Sequence, residues 1–174
     1  MFSAARLRLV GLLVGFVALG SCREAGGDSE YFAVSGKLFV FNYRVATATY
    51  LLTLKPLQPM RDDHTAVATF EDPAGGAPIV VRQKVWPKLG KVILESPPLR
   101  CIVKDRPYGV SVEIQDASGK PVQSIETTMR SSEDQSLMPD RPLVVGPVYT
   151  PNPELAGRPD GKLDESDGCP APKA

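Results

Sequence analysis

The groups in this chain that could do chemistry are one imidazole, one thiol in the body of the sequence and a few clustered carboxylates. His64 is the single histidine and lies in Arg61-Asp62-Asp63-His64. Two carboxylates beside an imidazole could bind a metal or tune a general base. Neighbours on an extended chain point different ways, however, and this cluster sits between proline-terminated strands, so a solvated loop is expected. A lone imidazole also leaves no multi-histidine zinc set. Cys101, after Leu99-Arg100, would act as a nucleophile only with a depressed pKa and with His64 brought to it in space; a structural thiol or half-cystine is the expectation. Ser118-Gly119-Lys120 matches the last residues of a phosphate-binding loop but lacks the upstream glycine and the strand-to-helix setting. Glu133 and Asp134 are too sparse for a calcium loop. No catalytic residue, metal site or cofactor is therefore expected.

Cys22 offers chemistry of another kind. Arg6 and Arg8 precede an apolar run from Leu9 to Leu19 broken only by glycines, and Leu19-Gly20-Ser21 leads directly into the cysteine. A charged start, an apolar stretch short of a full span and a small-residue processing site make a leader. With the cysteine immediately after it, the segment resembles the lipobox of bacterial lipoproteins. That resemblance implies removal of residues 1–21 and fatty acylation of Cys22, which then contacts membrane lipid. A simple secretory leader cut near Gly20 or Ser21 is the first alternative. An uncleaved anchor fits less well, because apolarity ends at Leu19. Within the lipoprotein family an aspartate after the cysteine is associated with inner-membrane retention; Arg23 stands there, which favours the outer membrane of a Gram-negative envelope, facing the periplasm.

Lysine plus arginine and aspartate plus glutamate are each 20; Arg6 and Arg8 leave with the leader, so the remainder carries a balance of −2. No basic face points to nucleic acid. Seventeen prolines and fifteen glycines among 174 residues argue against long helices and for short strands with frequent turns. With Cys22 acylated, Cys101 and Cys169 remain as an even pair in an oxidising compartment. A disulfide between them would tie the C-terminal tail to the domain; the alternative is a buried Cys101 and a free Cys169.

The elements that must position these groups follow from periodicity. Residues 22–30 have none and read as a tether. Tyr31 to Val45 is apolar on both faces, with Leu38 and Val40 on one and Phe39, Phe41, Tyr43 and Val45 on the other, which predicts a strand in the middle of a packed sheet. Thr47 to Lys55 alternates and ends at Pro56. Thr65 to Glu71, Ile79 to Trp86 and Lys91 to Glu95 are shorter strands closed by Pro- and Gly-containing turns. Tyr108 to Gln115 and Val122 to Met129 form a hairpin around Asp116-Ala117-Ser118-Gly119. Residues 131–142 read as loop, Leu143 to Tyr149 as a last strand, and 151–174 as a Pro-rich disordered tail.

The pattern over residues 31–150 predicts an all-β, antiparallel β-sandwich, with a partly open barrel as the alternative. Asp105-Arg106-Pro107-Tyr108-Gly109-Val110-Ser111-Val112 resembles the start of the penultimate strand in immunoglobulin-like and fibronectin type III domains. There a tyrosine bonds back to upstream backbone, the tyrosine corner. Ser35-Gly36-Lys37-Leu38 and Tyr108 to Gly119, with the lipobox, resemble the small pilotin-type lipoproteins related to type III secretion chaperones, without that group's proline-rich link after the first strand.

These readings favour an envelope lipoprotein with a binding, chaperone-like or assembly role towards another envelope protein. Phe39, Phe41 and Tyr43 would form a partner patch if one face of the first strand is uncovered, and Trp86, beside Arg82 and Lys84, is a further candidate. Full cover of that strand and a Trp86 packed under aliphatic stems is the alternative. A small-ligand or carbohydrate module would require an apolar concavity between the sheets. An enzyme would need His64 close to Cys101 or to two acids.

Overall fold

The alternation in the sequence becomes two facing sheets. The computed structural model describes residues 30–59, 61–163 and 169. In chain order the strands are β1 (Phe32–Asn42), β2 (Thr47–Pro56), β3 (Thr65–Phe70), β4 (Ile79–Lys84), β5 (Val92–Glu95), β6 (Tyr108–Gln115) and β7 (Pro121–Met129), with a small hairpin of β8 (Val144–Val145) and β9 (Thr150–Pro151) after them. One sheet has the order β1-β2-β5 and the other β4-β3-β6-β7. All these pairings are antiparallel. The chain is an all-β sandwich.

Its interior is set by every second residue. Tyr50, Leu52 and Leu54 of β2 meet Ala66, Ala68 and Phe70 of β3 and Val110, Val112 and Ile114 of β6, all essentially without solvent contact. The Tyr50 and Phe70 rings stack across the two sheets at 4.9 Å and 9°. Phe39 closes on Tyr50 at 4.7 Å and on Tyr108 at 5.6 Å. Each fully buried ring of this kind adds ~1.5–3 kcal/mol by burial and somewhat more by ring contact. Burial drives the Tyr50 hydroxyl far above its ordinary pKa, with the Tyr108 ring adding to the effect. It stays protonated and donates to the Glu71 carbonyl at 3.0 Å.

Tyr108 does what the tyrosine-corner resemblance implies. Its ring is buried at the start of β6, and its hydroxyl accepts the Val103 N–H at 2.7 Å, five residues upstream. Strand membership departs from the constant-type immunoglobulin plan, in which the fourth strand joins the sheet of the first, second and fifth. Here β4 has moved to the edge beside β3. The sheets do not close into a barrel. At the β1/β7 seam the Gln123 side chain substitutes for a ladder: its carbonyl accepts the Tyr31 and Phe32 N–H groups, both at 2.9 Å, and its amide donates to the Phe32 carbonyl at 2.7 Å.

Three expectations need correction. β1 is an edge strand, not a central one, because only β2 pairs with it; Leu38 and Val40 are exposed, while Phe39 and Phe41 face the core half-buried. Leu143 to Tyr149 is not one strand, since Gly146 at φ 72° and Tyr149 at φ 54° turn the chain back on itself. Residues 151–163 are not a disordered tail. The Asn152 side chain accepts the Glu154 N–H at 3.0 Å to start a 3-10 turn at Pro153–Leu155, Leu155 is buried, and Lys162 donates to the carbonyls of Ser136 and Met138. Local capping and charge-assisted bonds hold this segment where hydrophobicity is too low to do so. Residues 164–168 and 170–174 lie outside the described residues, as do the leader, Cys22 and residues 23–29 of the tether.

Candidate functional site

The register sorts the loops into two ends. Where the chain enters at Glu30 lie the 57–64 turn, the 85–91 loop and the 116–120 hairpin turn; the 43–46, 71–78 and 96–107 segments lie at the other. His64 belongs to the entry end. Its backbone carbonyl accepts the Val85 N–H at 2.9 Å, and its ring is not solvated as expected but buried, meeting Tyr31 edge-on at 5.5 Å. Nδ1 stands 3.9 Å from Asp63 Oδ1, beyond hydrogen-bond reach. Asp63 is instead gripped by Arg61 through Nε at 3.2 Å and Nη2 at 3.0 Å. That bond holds the Asp63 carboxyl below the usual carboxylate range and raises Arg61.

Cys101 lies at the far end, bonded to Cys169 with an S–S distance of 2.03 Å. The predicted disulfide is present, and imidazole and sulfur are at opposite ends. The remaining carboxylates build turns. Asp116 accepts the Ser118 hydroxyl at 2.6 Å and the N–H groups of Lys120 and Ser118, and these bonds lower its pKa, the hydroxyl most, then Lys120, then the Ser118 N–H. Gly119, at φ 82°, supplies the left-handed residue that turn demands. Asp134 caps the 3-10 turn at Gln135–Leu137 through the Ser136 N–H, which lowers its pKa. Among the described residues no group of three or more His, Cys, Asp or Glu side chains is placed to hold a metal.

Surface chemistry is concentrated elsewhere. At the far end a 3-10 turn at Tyr43–Val45 lies against the β8–β9 hairpin, where the Leu143 N–H bonds the Arg44 carbonyl at 2.9 Å. The Arg44 guanidinium covers the Tyr149 ring at 5.2 Å. Tyr43, Val148 and Tyr149 are exposed by 51%, 77% and 59%. Tyr149 sits at φ 54°, a left-handed conformation that costs a tyrosine of order 1 kcal/mol. Of the predicted partner residues, then, Tyr43 is presented here, Phe39 and Phe41 are turned inward, and Trp86 is exposed at the entry end. Val148 and Tyr149 were not foreseen as surface residues. Gly146-Pro147 before them, a turn dipeptide followed by apolar residues, is the signal that could have shown them.

No protein-family model matches this chain, and no curated protein matches its sequence.

Proposed function

We propose that this chain is a lipid-anchored envelope protein of the outer membrane, facing the periplasm, whose β-sandwich binds another envelope protein in a chaperone-like or assembly role. One observation carries the reading. The exposed apolar cluster of Tyr43, Val148 and Tyr149 lies at the end of the sandwich opposite the one where the chain enters from Cys22. An anchored domain keeps that end free for a second protein. Aromatic residues beside an arginine, Arg44 here, are the types that dominate protein interfaces. The β8–β9 pairing carries Val148 and Tyr149, and the Leu143 N–H bond to the Arg44 carbonyl ties that hairpin to the turn with Tyr43; groups held in place before binding lose less entropy on it.

The rival readings fit the geometry less well. The space between the sheets is filled by Tyr50, Phe70 and Tyr108, so a ligand module would have to use surface clefts. An enzyme that uses His64 with Cys101 would need two groups that the fold separates and a sulfur that the disulfide occupies. The test is affinity capture from detergent-solubilised membranes with the natural chain and with Val148→Ser/Tyr149→Ser. A stoichiometric envelope protein retained by the first and lost by the second is expected. Equal recovery by both, or no partner at all, overturns the proposal.

A further inference from the structure

The entry end carries a second exposed surface, on the last residue of β4 and the loop after it, Lys84-Val85-Trp86-Pro87-Lys88-Leu89-Gly90-Lys91. Trp86 and Leu89 are exposed by 48% and 66%, and three lysines stand among them with no acid in the segment. The Lys84 ammonium lies 4.7 Å from the Trp86 ring centroid. Trp86, Leu89 and Ile93 line a shallow cavity of about 260 Å³, and Leu57 and Lys55 are exposed at the same end. Among the described residues the acids there are Glu30, Asp62, Asp63 and Asp116. Asp63 is neutralised by Arg61, and Asp116 is committed to its own turn. Asp62 lines a cleft with Trp86 and Lys88.

We infer that this loop docks on an anionic bilayer surface, Trp86 and Leu89 entering the headgroup boundary while Lys84, Lys88 and Lys91 meet the phosphates. Tryptophan concentrates at that boundary because its ring is apolar and its N–H is wet. Lysines beside it gain from the negative surface potential within a Debye length. Position on the chain selects a bilayer as the occupant. Cys22 is eight residues from Glu30, so at ~3.6 Å per residue it lies within about 30 Å of the entry end. The inference takes from the proposed anchoring only that a membrane lies on this side. Docking would fix the orientation of the sandwich, which a tether alone leaves free.

Trp86 is the only tryptophan in the chain, so its fluorescence reports on this loop alone. The experiment places the purified full-length processed protein on vesicles of phosphatidylethanolamine and phosphatidylglycerol, with and without brominated acyl chains. Emission should move to shorter wavelength and be quenched by the bromines. Leu89→Asp should abolish the quenching, and Lys88→Glu should weaken loop association about fivefold or more. Both residues are exposed, so the fold is untouched, and both variants keep the reporter. Vesicle-bound protein with unshifted, unquenched emission overturns the docking while leaving the anchor standing. An unmodified Cys22 overturns the anchor, and the same readout with excess vesicles still decides the docking.

Discussion

Tyr108 shows how one hydroxyl can hold a connection. Its ring is buried among Phe39, Tyr50 and the Arg106 guanidinium, which stacks at 4.6 Å and also reaches Glu71 at 2.6 Å. The hydroxyl is the partner of the Val103 N–H. Removing it leaves that donor without its partner beside the 96–107 connection. Tyr108→Phe is therefore expected to cost ~1–2 kcal/mol. The midpoint of urea unfolding should fall while its slope stays the same. A midpoint equal to that of the natural chain would mean that water satisfies the N–H equally well. This residue was legible in the sequence, because a tyrosine at the head of an alternating strand after Pro107 is a local pattern with a local partner. His64 was legible in type but not in surroundings: the loop expected to be solvated tucks its imidazole under Tyr31.

At the scale of elements, strand positions follow from alternation and turn residues, and the observed bounds fall within a residue or two of those expected from Thr47 to Met129. What covers a strand is a different matter. β1 is apolar on both faces, yet nothing local says whether a third strand lies beyond it, and in the fold Leu38 and Val40 face solvent. The C-terminal segment was missed for a related reason. Composition measures how much apolar surface a segment can bury, and residues 151–163 are held largely by caps, Lys162 and the nearby disulfide instead. That gives the bridge a measurable job. With the cysteines 68 positions apart, closing the loop contributes ~4 kcal/mol on the chain-entropy argument. Cys101→Ser/Cys169→Ser should lose a stabilisation of that order and expose the chain after Asn152 to protease well before the sandwich is cut. Simultaneous cleavage of tail and body would show that the bridge supports the whole domain.

For the whole molecule, the arrangement of two exposed surfaces at opposite ends is what the proposed lipid anchor would orient. A single acyl chain holds a protein only marginally, at ~0.8 kcal/mol per buried methylene, whereas several chains together make release very slow. The Trp86 loop offers far less apolar area and depends on lysines, so its contribution is screened by salt. Replacing Cys22 therefore separates the two attachments. The natural protein should sediment with membranes in low and high salt alike, and its mass should correspond to a chain beginning at an acylated Cys22. Cys22→Ser should release most of the protein, leaving a bound fraction that disappears as salt is raised. An unchanged membrane fraction for Cys22→Ser, or a natural mass without acyl groups, would remove the lipid from the proposal. The far-end cluster of Tyr43, Val148 and Tyr149 would then have no fixed side of the envelope to face.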